Sequence, residues 1–119
     1  MSEINKSAQF EQRLLNFSED VIEICKLIKG TTITRPIISQ FIRSGTSIGA
    51  NYCEANNASS KKDFRNKICI CKKEAQETKY WLKLLLRTDP NLKEKIDQLH
   101  QECHEYSLIF QKIISTMNK

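Results

Sequence analysis

Apolar side chains along this chain recur at alternating steps of three and four, in four separate runs. The first run is Phe10, Leu14, Phe17, Val21, Ile24 and Ile28, and the second is Ile38, Phe41, Gly45, Ile48, Tyr52 and Ala55. The third is Phe64, Ile68, Cys71, Ala75, Thr78, Leu82 and Leu85. The fourth is Leu92, Ile96, Leu99, Cys103, Tyr106, Phe110, Ile113 and Met117. Steps of this size keep a stripe on one side of a helix. A stripe sustained over several heptads suits the shallow crossing of helices in a bundle.

Breaks fall between the runs. Gly30 reads as the stop of the first helix, with Thr34 as the cap of the second and Pro36 in its first turn. Ser60 and Asp63 have capping-box spacing before the third, and Asp89 with Pro90 opens the fourth. The connections are short, so consecutive helices are expected to run antiparallel. The expectation is an all-α, up-down-up-down four-helix bundle forming one domain over residues 1–119.

The second helix is poorly equipped for water. From Pro36 to Ser60 its only charges are Arg43 and Glu54, and "RSGTSIGANYCEA" holds two glycines. Each glycine inside a helix costs about 1 kcal/mol relative to alanine. With Phe41, Ile48 and Tyr52 facing the bundle, Arg43, Ser44, Ser47, Asn51 and Glu54 make a second, weakly charged arc. This arc is expected to be covered by another copy of the chain, with Arg43 and Glu54 forming ion pairs between subunits.

Charge is concentrated on the third helix. The net charge is +5, yet residues 61–87 alone carry nine basic side chains against three acidic ones. Arg65, Lys72 and Lys79 repeat every seven residues, with Lys61, Lys62, Lys73 and Lys83 around them. Such a ribbon can track phosphates or simply face water. Tyr80 and Trp81 are the only aromatics near it, so a nucleic-acid ligand, RNA or DNA, is expected to be held by backbone or shape rather than by base reading. The alternative is a protein-interaction scaffold, an adaptor for a polymerase-like partner, whose lysines only confer solubility.

Candidates for chemistry are weak. Cys25, Cys53, Cys69, Cys71 and Cys103 are odd in number and form no C-x-x-C, which suits unpaired thiols in a reducing compartment. His100 and His104 stand one turn apart, but Gln101 occupies the place where a zinc-protease helix needs glutamate. Glu74 and Glu77 lack the Glu-x-x-His partners of di-iron bundles. No catalytic residue, metal, cofactor or small-molecule substrate is expected. The N-terminus has no signal-peptide pattern and no run is long enough to span a membrane, so a cytoplasmic protein is expected.

The stretch "RSGTSIGANYCEANNASSKKDF" resembles the signature of the small proteins encoded in intervening sequences of 23S rRNA genes, also called the S23 ribosomal protein family. Arg43, Ser44, Ser47, Ile48, Asn51, Glu54, Ser60, Lys61, Asp63 and Phe64 carry the match, and Glu74, Glu77, Tyr80, Trp81 and Leu82 extend it. The resemblance implies a four-helix bundle assembled as a homopentamer, with a basic nucleic-acid-binding surface and no catalytic residues. The chain also resembles the accessory variability protein of diversity-generating retroelements, which implies a reverse-transcriptase partner.

Overall fold

Four helices account for nearly all of the computed structural model, which describes residues 3–118. Helix α1 spans Glu3–Cys25, α2 Thr34–Asn56, α3 Lys61–Thr88 and α4 Lys93–Met117, the last entered through a 3-10 turn at Pro90–Leu92. The molecule is elongated, 45 × 25 × 21 Å. Among the described residues, no helix is long and apolar enough to cross a membrane.

The heptad stripes form the core. Phe17, Val21, Phe41, Ile48, Ile68, Ala75, Leu82, Leu85, Tyr106 and Phe110 are all buried. The fourth stripe drifts at its end: Ile114 is buried where Ile113 was expected, and Met117 is half-buried. A helix of 3.6 residues per turn slips against a strict seven-residue repeat, so the step after Phe110 becomes four.

Helix ends depart from expectation in physical detail. The α1 spiral stops at Cys25, and Leu27 and Ile28 donate backbone N–H to Ile24 and Cys25, tightening the last turn before Gly30 is reached. Thr31, not Thr34, caps α2. The Thr31 Oγ1 accepts from the Thr34 N–H at 3.0 Å, and the Thr34 Oγ1 accepts from the Thr31 N–H at 2.8 Å. Thr34 thus supplies the return bond of a capping box. Ser60 caps α3 by accepting from the Asp63 N–H at 3.0 Å. Asp89 makes no cap bond through its side chain, which takes the Thr88 hydroxyl.

The interhelix seams differ in width. Between α1 and α2 the glycines allow close approach. A Cβ on Gly45 would lie 2.9 Å from Val21 Cγ2, and one on Gly49 would lie 3.3 Å from Leu14 Cβ. Between α1 and α4, rings fill the gap: Phe10 and Phe17 meet Tyr106 at 5.9 and 5.4 Å, and Phe10 meets Phe110 at 5.7 Å. In each seam, residue numbers fall along one helix as they rise along its neighbour. Leu14 and Val21 meet Gly49 and Gly45, Ile48 and Glu54 meet Cys71 and Lys67, and Arg65 and Lys72 meet Asn118 and Gln111.

Replacing Gly45 with alanine is therefore expected to destabilise the fold by about 1–3 kcal/mol, although alanine favours helix. In a Val21→Ala background, which clears the contact, the same change is expected to cost less. Denaturation midpoints of the two single variants and the double variant check this non-additivity.

Candidate nucleic-acid interface and the seam behind it

Ser44, Ser47 and Asn51 on α2 face α3 of the same chain, and Arg43 and Glu54 stand exposed at the rim of that seam. Arg43 Nη1 donates to Glu74 at 3.0 and 3.3 Å, and its Nη2 donates to Glu77. Ser47 Oγ donates to Glu74 Oε2 at 3.2 Å, and Asn51 Nδ2 donates to Ser47 O and Oγ. The Ser44 and Thr78 hydroxyls hydrogen-bond at 2.9 Å, both fully buried. Glu54 pairs with Lys67 at 2.9 Å. Ser44 is sealed inside its own chain, and Arg43 and Glu54, both still exposed, find counter-ions on α3. Helical angles place residues on one side but do not say which neighbour stands there.

This seam joins the two sequence segments that the family signature singles out. Glu77 also accepts from the Trp81 indole N–H at 2.9 Å. Its carboxyl is held below the ordinary carboxylate range, first by that indole and then by Arg43. Arg43 is raised above its ordinary value by its bonds to Glu77 and Glu74. Partnering could have been foreseen from charge counting, because Arg43 is the lone base in the middle of α2 and Glu74 and Glu77 are the only acids in the body of α3.

On the opposite side of α3 lies the basic ribbon. Lys61, Arg65, Lys72, Lys79 and Lys83 share the flank beside α4, and Lys62 and Lys73 stand on the adjoining outer face. Among the described residues, none of these seven forms an ion pair; the bases that do are Arg13, Lys26, Arg43, Lys67 and Lys93. Arg65 donates to Asn118 at 3.0 Å and Lys72 to Gln111 at 2.6 Å, neutral partners that leave each charge intact. A shallow hollow between α3 and α4 is lined by Lys72, Lys73, Gln76 and Gln111. Tyr80 is 56% exposed on the outer face and touches Trp81 edge-on at 5.1 Å. Trp81 is committed to Glu77, which leaves Tyr80 as the ring available for stacking.

Thiols and imidazoles are dispersed. All five cysteines are unpaired, and burial pushes Cys25 to about 11 and Cys71 to about 12, so both stay protonated at neutral pH. Cys103 is buried in the core stripe while His104 is exposed. Among the described residues, no three His, Cys, Asp or Glu side chains converge as a metal site.

Two measurements probe the α2–α3 seam. Arg43→Ala leaves Glu74, whose side chain is only 12% exposed, without its main counter-charge, and is expected to cost about 1–3 kcal/mol in a denaturation experiment. Arg43→Lys should fall between that variant and the parent, since a single ammonium cannot fork across two carboxylates. Glu77 is depressed in the folded state, so its stabilisation is present above the unfolded value of about 4.3 and is lost as pH falls through the folded value. Glu77→Gln should flatten the acid limb of a stability-against-pH curve and lower the plateau at neutral pH.

The comparisons agree with the resemblance seen in the signature residues. The profile described as "23S rRNA-intervening sequence protein" matches residues 6–112. A crystal structure of a protein of unknown function from the S23 ribosomal protein family of Bacteroides thetaiotaomicron is 37% identical. It superimposes with a TM-score of 0.67 over 92% of this chain and 95% of that one. No curated protein matches. Extending through all four helices, these matches establish that the chain belongs to the 23S rRNA-intervening sequence protein family.

Proposed function

We propose that this protein is a non-enzymatic nucleic-acid-binding bundle that holds a phosphodiester backbone along the α3 ribbon. One observation carries the reading. The acids in the body of α3, Glu74 and Glu77, are turned into the α2 seam and paired with Arg43, while the ribbon cations form no ion pair among the described residues. A helix that only needed solubility gains most from mixed charges on its exposed face. Here the outward field is of one sign, and it attracts polyanions. Contacts to phosphate would give strong salt dependence and little sequence preference.

Self-association is proposed on a different face from the one expected. Leu15 and Ile22 on α1 are 52% and 45% exposed, and Ile42 on α2 is 36% exposed. By helical angle they share the outer flank of the α1–α2 pair with Thr46, Ala50 and Cys53, none of which carries charge. A second copy of the chain covering this flank would repeat the ribbon around an assembly and multiply its field.

Binding to RNA and DNA duplexes and single strands at several salt concentrations tests the ligand. The logarithm of affinity is expected to fall linearly with the logarithm of salt, and Lys72→Gln to reduce the slope by about one unit without changing sequence preference. Absence of binding at low salt overturns the reading. Sedimentation tests the assembly: Leu15→Glu with Ile42→Glu is expected to yield a folded monomer, and a parent that is already monomeric overturns the self-association.

A further inference from the structure

Toward its C-terminal end the ribbon meets two imidazoles across the furrow between α3 and α4. The bonds Arg65–Asn118 and Lys72–Gln111 fix the register of this antiparallel pair, each step of seven up α3 matching a step of seven down α4. One more step places Lys79 against His104, and four residues further Lys83 stands against His100. Lys79 and Lys83 both act on His100 from α3, and Asp97 and His104 act on it from its own helix. Asp97 is engaged by Lys93, so its charge is largely spent. The His100 ring is half-buried, and its Nε2 is screened from water with no hydrogen-bond partner among the described residues. A sealed ring nitrogen beside two unpaired ammonium groups is an expensive arrangement for a protein with nothing bound.

We propose that Lys79, Lys83 and His100 form an anchoring point for a phosphodiester group, which is bound together with a proton taken up on His100. The inference rests on the proposed backbone binding and assigns its strongest contact. In the free protein, burial and the two lysines hold the imidazole neutral, below its ordinary value. A phosphate oxyanion seated between the lysines cancels their field, so protonation becomes favourable. Proton and anion then assist each other, as linkage requires. Lys61, Arg65 and Lys72, with no imidazole near them, bind without a proton change. The furrow thus has one pH-responsive end and one indifferent end.

Oligothymidylate of about twelve nucleotides is a suitable probe, because neither its phosphodiesters nor its bases titrate between about pH 5.5 and 7.5. At fixed low salt the parent protein is expected to bind about three- to tenfold tighter at the lower pH. His100→Gln should reduce that pH dependence, His104 alone remaining in the furrow, while keeping the affinity measured at the higher pH. In the parent, imidazole resonances should show the His100 titration midpoint moving upward when the oligonucleotide is added. It should also move upward in the free Lys79→Gln, Lys83→Gln variant, whose repulsion is gone. A His100 midpoint unmoved by the oligonucleotide, or a pH dependence equal in parent and His100→Gln, overturns the inference while leaving backbone binding intact. No binding at either pH overturns both.

Discussion

The fork of Arg43 across Glu74 and Glu77 is the constraint on which the remaining structure turns. It locks the facing of α3 that the buried stripe of Ile68, Cys71, Ala75, Leu82 and Leu85 sets, by joining two carboxylates to one guanidinium. In that rotation Thr78 and Cys71 fall against Ser44 and the Ile48 carbonyl, and the lysines other than Lys67 face away from α2. A half-buried ion pair contributes modestly to net stability, but it is specific about rotation and register. Here the selected rotation also segregates charge. Glu74 and Glu77 go to one side of α3 and, Lys67 apart, the bases to the other, so packing and surface potential share an origin.

Seam width follows side-chain size in the same way. The glycines and hydroxyls of α2 draw α1 and α3 close, whereas α1 and α4 are held apart by Phe10, Phe17, Tyr106 and Phe110. Arg13 bridges that wider seam, lying over the Tyr106 ring at 4.8 Å and pairing with Glu105. Tyr106 in turn donates to Glu102 at 2.9 Å. Glu102 and Glu105 of α4 are therefore drawn toward α1. Its opposite flank, facing the ribbon, carries Asn118, Gln111, His104 and His100, with Asp97 paired to Lys93 at its edge. Among the described residues, both walls of the α3–α4 furrow thus lack compensating carboxylates along most of their length.

Much of this architecture was legible in the sequence because heptad stripes are a direct projection of helix geometry. The four stripes, the Ser60 cap and the basic face of α3 required only periodicity and counting. The pairing of α2 with α3 was not legible. A poverty of charge shows that a face is shielded, but a wheel drawn from one helix contains no neighbour. Gly45 and Gly49 lie against Val21 and Leu14 of α1. The Ser/Asn arc faces α3, where Ser44 meets Thr78 and Ser47 meets Glu74. Thr31 escaped notice as the cap because two threonines three apart each satisfy the local pattern, and only their reciprocal bonds distinguish donor from acceptor. His100 was weighed only as one of two imidazoles a turn apart, since its relation to Lys79 and Lys83 exists only once α3 and α4 are in register.

Trp81 is the chain's sole tryptophan, and its indole N–H is bonded to the very carboxylate that grips Arg43. Its emission is therefore a built-in optical gauge of whether the clasp is closed, read without any label. Tyr80, edge-on beside it and open to solvent, forms a natural energy-transfer donor to that gauge. The two neighbouring rings thus look in opposite directions, one reporting the interior joint and the other whatever settles on the outside.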